Sequence, residues 1–442
     1  MREDNAMSSH RLALEEETIR ICQDLIRIPS VNYGEGNGNE KEVADYVVAS
    51  LAEAGIESRI YESAPNRCNV IARIKGSDSS RPGLVLHGHI DVVPANAADW
   101  SIDPFGGQIR DGAIWGRGAI DMKNFDAMML AIVRHWSRIG YQPTRDIVLA
   151  FFADEEAGST FGSHWMTDNH KEVFEGCTEA ISEVGGFSVT VGDGKRLYFI
   201  EAAEKGVHWM KLTANGHAGH GSMMNDDNAV TALTEAVAKI GRYEWPQRYT
   251  KTVKILFAKI AEVTGKPFDI KDLRPLLKEL GSNARMMGAT LQNTANPTML
   301  EAGYKANVIP GSASAVIDGR FLPGYEDELN QTIRAIVGPD ILIETLMRDI
   351  ALEVDFTGDL VDAMIASLLK EDPEGIPVPY TMSGGTDNKA LSEIGIVGYG
   401  FSPLKLPADL DFMSLFHGVD ERVPIDGLTF GVHVLQNFLE NC

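Results

Sequence analysis

The chain has 442 residues, of which 44% are hydrophobic and 23% charged, with a formal net charge of -23. Its length exceeds the usual ceiling of one hydrophobic core, which predicts two domains with ample apolar material for both. So large an excess of carboxylates excludes nucleic acid and anionic membrane surfaces as partners, because phosphate binding needs clustered Lys and Arg. Cys22, Cys68, Cys177 and Cys442 lie far apart with no C-x-x-C spacing, so neither a disulfide framework nor a thiolate zinc site is predicted. Residues 1–20 lack the basic and apolar regions of a signal peptide, and no apolar run reaches membrane-spanning length. A reducing, cytoplasmic setting is expected.

In chain order, apolar spacing predicts a helix over Leu12 to Ile28, ended by Pro29, and a second over Glu40 to Ala54, closed by Gly55. Strands are predicted at Glu57 to Tyr61 and Asn69 to Ile74, followed by the run Leu84-Val85-Leu86-His87-Gly88-His89-Ile90-Asp91. That run delivers His89 to the carboxyl end of a strand, where open α/β sheets bind ligands. Asp91, two residues on, is placed to orient the imidazole. The loop Gly116-Arg117-Gly118 leads to Asp121 at the start of a helix carrying Phe125, Met128, Met129, Ile132 and Trp136. Asp146 to Ala153 is the most strand-like run, and it ends in Asp154-Glu155-Glu156. A further strand, Thr178 to Glu183, again ends in a carboxylate.

From about Glu204 the pattern changes. Strands at Val207 to Ala214, Met299 to Gly303, Ser312 to Phe321 and Ile341 to Met347, with helices at Asn228 to Ile240 and Glu326 to Ile336, give β-α-β-β-α-β order. The expected fold is therefore α/β, a catalytic domain with a mostly parallel central sheet flanked by helices, carrying an inserted ferredoxin-like α+β lid domain. The catalytic domain is expected at 1–203 and 356–442, and the lid at 204–355. Residues 249–292 are surplus to the lid pattern, partly helical, and expected mainly to pack a core. After Phe356 the α/β pattern resumes, with the turn Ser383-Gly384-Gly385-Thr386-Asp387 and the segment His417-Gly418-Val419-Asp420-Glu421. No Walker lysine follows the glycine pair, so a nucleotide site is rejected.

His89, Asp121, Glu156, Glu183 and His417 supply two imidazoles and three carboxylates, each beside a strand or helix end. That donor set suits two divalent ions of the zinc class, with one carboxylate shared and positions left open for water. Glu155, the remaining acid, is the candidate general base.

Gly88-His89-Ile90-Asp91-Val92-Val93-Pro94, Gly116-Arg117-Gly118 with Asp121-Met122-Lys123, Asp154-Glu155-Glu156, and His417-Gly418-Val419-Asp420-Glu421, in that order, resemble the M20 metallopeptidase and aminoacylase family. The resemblance spans essentially the whole chain. It implies that His89 with Glu183 holds one metal and Glu156 with His417 the other, with Asp121 bridging and the Asp121-Met122 peptide cis. It further implies Asp91 orienting His89, Glu155 as general base, and His220 stabilising the oxyanion, in dimeric members from the second subunit. Asn307 aligns near the same oxygen. Arg320 is the candidate for the substrate carboxylate, with Arg348 a competitor, and Gly384 and Gly385 are expected at the substrate. His217 lies close enough to His220 to compete for its role.

The implied activity is hydrolysis of the amide of an N-acyl amino acid or small dipeptide. The implied cofactors are two Zn2+, with Co2+ or Mn2+ as substitutes. The partners expected are the small-molecule substrate and a second copy of the chain, a homodimer formed through the lid. Met223-Met224-Asn225-Asp226 departs from the basic residue and proline that many members carry there, which weighs against a strongly polar substrate. A desuccinylase or deacetylase of biosynthetic diamino acids is the alternative enzyme, and an inactive binding protein on the same fold is the alternative from another class.

Overall fold

The computed structural model describes residues 2–34 and 36–442. A ten-stranded mixed sheet forms the body. At its centre Ile147–Phe152, Gly83–His89, Cys177–Ser182 and Val397–Gly400 run parallel as neighbours. Two of them, Ile147–Phe152 and Gly83–His89, are buried along their whole length and largely apolar because both faces are covered. Successive side chains part to opposite faces: Leu84, Leu86, Leu149 and Phe151 join one core, while Val85, Val148, Ala150 and Phe152 join another. The helices Lys123–Ile139 and Ile425–Asn441 contribute Met128, Met129, Leu428 and Leu435 to the first. Met166 and Leu391, from the helices Ser163–Asn169 and Asn388–Glu393, belong to the second.

The antiparallel flank of this sheet was not legible in the periodicity. Phe187–Val191 and Lys195–Glu204 form a hairpin, and Ile376–Met382 pairs parallel with the second of these strands. A small three-stranded sheet of Gln108–Arg110, Ala113–Trp115 and Arg422–Pro424 was also unpredicted. It ties the loop before Asp121 to the segment after His417.

Gly206–Asn215, Thr294–Ala302, Ser312–Phe321 and Leu342–Asp349 form a separate four-stranded antiparallel sheet. The helices Ala229–Gly241 and Glu326–Val337 belong to the same unit. The first starts at Asn228, whose side chain accepts from the backbone N–H groups of Val230 and Thr231. Leu212, Leu233, Ile317, Leu329 and Ile333 build a core of their own. The expected β-α-β-β-α-β order is present, with strand ends shifted by a few residues. Ile317 is fully buried at its centre, and Ile317→Ala is expected to cost about 2–5 kcal/mol, read as a lower denaturation midpoint.

The segment 249–292 does not join that small core. Val253, Leu256, Phe257 and Ile260 of the helix Lys251–Thr264, with Leu276 and Met287, pack into the large one. No helix of the described residues is long and apolar enough to cross a membrane.

Candidate active site

The carboxyl ends of the parallel strands converge on one cluster. Strand Gly83–His89 ends in the imidazole, Ile147–Phe152 leads to Glu155 and Glu156, and Cys177–Ser182 leads to Glu183. Nε2 of His89 lies 3.0 Å from Oδ1 of Asp121, 3.5 Å from Oε2 of Glu183 and 3.9 Å from Oε2 of Glu155. Nε2 of His417 lies 3.2 Å from Oδ2 of Asp121 and 3.0 Å from Oε2 of Glu156. The two oxygens of Asp121 are thus divided between the two histidines, the disposition a bridging carboxylate needs. The peptide after Asp121 is cis.

These residues fit a pair of divalent ions. Donors held 2.0–2.2 Å from a tetrahedral ion stand about 3.3–3.6 Å from one another, close to the spacings observed. His89, Asp121 and Glu156, and separately His89, Glu155 and Glu183, bring ligand atoms within 4.8 Å of each other. Oε1 of Glu156 and Oε2 of Glu183 are buried with no hydrogen-bond partner among the described residues. Burying a carboxylate in that way is costly unless a cation or a proton balances it. Burial pushes the Glu183 carboxyl up to about 8, and burial together with Glu183 holds Glu155 well above the usual carboxylate range. Hydrogen bonds to Asp121 and Glu156 raise His417 to about 10. Without metal, protons do the balancing.

Hydrogen bonds from the surrounding chain position the cluster. Asp91 does more than the sequence indicated: its main-chain carbonyl, 3.0 Å from Nδ1 of His89, is closer than its carboxylate at 3.5 Å. The carboxylate instead accepts from Asn32 Nδ2 at 2.9 Å and from the backbone N–H groups of Glu155 and Glu156 at 3.2 Å. One aspartate therefore fixes both the imidazole and the acidic turn. Asp154, Val184 and His417 adopt left-handed backbone with φ of 66°, 53° and 55°, a strained conformation for non-glycine residues that clusters at functional sites.

Glu421 accepts from the N–H groups of Gly118 and Ile120 at 3.0 and 2.8 Å and pairs with Arg117 at 2.6 Å, which fixes the loop carrying Asp121. Beneath the acidic turn, buried Arg67 forks onto Glu40 at 2.8 Å and reaches Asp154 at 2.7 Å. Arg67→Met leaves Glu40 and Asp154 buried without their cation and is expected to destabilise the fold by about 3–5 kcal/mol, measurable by denaturant titration.

A cavity of about 400 Å³ opens onto Asp121, Glu155, Glu156, Glu183 and His417. Arg320, Gly384 and Gly385 line it as the sequence suggested, while Arg348 lines a neighbouring cavity. His220 and Asn307 are not among its lining residues. They sit together on the four-stranded unit, where Gly219–His220 pairs with Val308–Ile309, and His220 is exposed. His217, its neighbour, pairs with Asp227 at 2.5 Å. Sequence reasoning named only Met286 of the cavity's apolar lining, as available to line a surface but preferentially core, and missed Trp209, Met347, Met382, Met413 and Phe416. These residues come from distant segments, and only the fold brings them together. It also missed Lys389, which lines the same cavity, and Asp387, which accepts from Ser159 and Ser163 and ties the glycine turn to the acidic one.

Parallel strand ends and the loops beside them gather two histidines and three carboxylates next to an open cavity, with a spare glutamate beside them, an arrangement that fits a metal-dependent hydrolase. The sequence profile of Peptidase family M20/M25/M40 matches residues 85–441. The chain belongs to this family, and it is a hydrolase acting on amide bonds.

A probable carboxypeptidase S-like protein of Dictyostelium discoideum is 28% identical over 82% of the chain and 73% of its own length. The N-fatty-acyl-amino acid synthase/hydrolase PM20D1 of Mus musculus is 27% identical over 97% of the chain and 88% of its own. Aminoacylase-1 of Sus scrofa is 26% identical, covering 92% and 91%. Among solved structures, the M20 metallo-carboxypeptidase Sso-CP2 of Sulfolobus solfataricus shares the fold with a TM-score of 0.74 at 20% identity, over 96% of this chain and 99% of that one. Human carnosine dipeptidase 1 does so with a TM-score of 0.72 at 14% identity, over 98% of each chain.

Proposed function

We propose that the protein hydrolyses N-acyl amino acids with an apolar acyl group, releasing the free amino acid. The observation that carries this reading is that four methionines, Trp209 and Phe416 line the same cavity as the carboxylate cluster. Burying an acyl chain there removes apolar area from water at about 25 cal/mol per Å², and methionine adapts to chains of different shape. The relatives named for N-fatty-acyl amino acids and as aminoacylase, each aligned over most of the chain, support the same reading.

His89 and Glu183 would hold one ion of the zinc class, Glu156 and His417 the other, and Asp121 would bridge them, with cobalt or manganese as substitutes. Bound there, the ions supply Lewis-acid polarisation of the amide carbonyl and a water of lowered pKa. Oε2 of Glu155 takes a proton from the attacking water and returns it to the leaving amine nitrogen. Asp91 holds the turn through the N–H groups of both glutamates, which would leave Glu156 to hold the ion and Glu155 to move the proton.

The test is amine release by the metal-loaded protein from a panel of apolar N-acyl amino acids, succinylated and acetylated diamino acids, and small dipeptides. A preference for the apolar acyl group of about tenfold or more in kcat/KM is expected, equivalent to about 1.4 kcal/mol. A preference for succinylated substrates would overturn the reading in favour of a biosynthetic deacylase.

Residues 204–355 act, in this reading, as a lid, with 249–292 packed on the catalytic body formed by 1–203 and 356–442. His220 lies outside its own cavity, which supports a homodimer in which it serves the cavity of a second copy. Mixing inactive His220→Ala and Glu155→Gln chains should then restore about a quarter of wild-type turnover through mixed dimers. No recovery, or a monomeric active enzyme, would contradict the dimer. The four cysteines, none of them paired, support a cytoplasmic setting.

A further inference from the structure

An N-acyl amino acid, the substrate in the reading above on which this inference rests, carries a free carboxylate that the site must recognise. The cationic side chains near the cavity differ in whether a hydrogen-bonded carboxylate or a full set of acceptors already engages the charge. Arg348 lies in the neighbouring cavity and is bonded to Glu326 at 2.5 Å. Arg320 lines the catalytic cavity, but Asp318 engages its Nε at 2.7 Å and its Nη2 at 3.2 Å. Buried Lys205 donates to the carbonyls of Ala289 and Gln292 and to Oγ1 of Thr294, which uses all three N–H groups of an ammonium.

Lys389 is the exception. Its side chain is 2% exposed, a burial that lysine seldom accepts without a partner. Among the described residues its Nζ donates to one acceptor, the main-chain carbonyl of Lys205 at 2.9 Å, and Oδ2 of Asp349 stands off at 3.9 Å. Two N–H groups remain to be satisfied. The ammonium lies against Gly385, where a Cβ would collide with Nζ, and both residues line the catalytic cavity. A glycine at 385 therefore leaves open the space in which the charge meets the cavity wall.

We propose that Lys389 binds the carboxylate of the amino-acid half of the substrate, beside Gly384 and Gly385, and sets the preference for free N-acyl amino acids over their neutral amides. A hydrogen-bonded ammonium–carboxylate pair in such a site contributes a discrimination of about 10- to 100-fold.

The experiment measures kcat/KM of the metal-loaded enzyme for an apolar N-acyl amino acid and for its carboxamide. In Lys389→Met the acid-to-carboxamide ratio is expected to fall by about 10- to 100-fold, mainly through KM for the acid, and Lys389→Arg is expected to restore most of it. Arg320→Met should keep the ratio near the wild-type value. Lys389→Gln covers the case in which Met at this buried position prevents folding, since it retains a donor for the Lys205 carbonyl while removing the charge. An unchanged ratio in Lys389→Gln, with the wild type active on the acid, overturns this inference and leaves the functional reading standing. A wild type inactive on every N-acyl amino acid overturns both.

Discussion

Glu155→Gln is expected to lower kcat by about 10²–10⁴-fold while the metal content of the protein is unchanged, the loss typical of removing a positioned general base. The reason lies in how the acids divide. Glu156 is engaged by His417 at 3.0 Å, whereas Glu155 stands 3.9 Å from the nearest imidazole nitrogen, that of His89, and lines the cavity. The amide variant keeps the shape of the side chain and its backbone N–H bond to Asp91, so the turn survives. Elemental analysis beside steady-state kinetics checks the prediction. Normal turnover with full metal would remove Glu155 from the chemistry.

Asp121→Ala is expected to act on both ions at once. Each carboxylate oxygen of Asp121 faces a different histidine, so its loss strips one donor from each half of the centre. Metal content should fall to one ion per chain or fewer, and turnover should fall to background. Glu183→Ala, which touches only the His89 side, should spare the ion on the His417 side. Equal loss in the two variants would argue against the bridging role.

The same carboxylates predict a pH signature for the metal-free protein. Burial pushes Glu183 up to about 8, Asp126 up to about 8 and Glu421 up to about 7, from ordinary values of 4.5, 3.8 and 4.5. A folded state that holds protons longer than the unfolded chain has stability that is complete below the unfolded pKa and is lost as pH rises through the folded one. His417, raised to about 10 from 6.5 by Asp121 and Glu156, contributes in the same direction. The metal-free protein should therefore lose stability between about pH 5 and 8. Cations that replace those protons remove part of the loss. The metal-induced rise in Tm should be larger at pH 8 than at pH 5.5, and the reverse order would contradict this account.

Most of the candidate donor set was legible because its members follow a strand run or precede a helix, while His417, in a loop, was carried by the family resemblance of its segment. His89 follows Leu84-Val85-Leu86, the acidic pair follows Ile147–Phe152, and Asp121 stands two residues before Lys123–Ile139. The ferredoxin-like order of the second sheet was legible for a similar reason, since its core positions repeat at strand and helix periods. The hairpin Phe187–Val191 and Lys195–Glu204 was not, because the second strand is buried on both faces and so lacks alternation, and Arg196, Glu201 and Glu204 also interrupt its apolar run. The cavity wall was hidden for a different reason. Trp209, Met286, Met347, Met382 and Phe416 are far apart in the chain, and each alone reads as core. The roles of Asp91 toward the acidic turn and of Lys389 toward Gly385 depend on contacts across the fold, and no local spacing encodes them.

The most direct test of the central claim is titration of the metal-free protein with Zn2+, with binding stoichiometry and hydrolysis of an apolar N-acyl amino acid followed together. The account predicts two ions bound per chain and turnover that appears as they bind, lost again on chelation. Hydrolysis that persists in protein verified to be free of metal, or saturation at one ion with full activity, would contradict it.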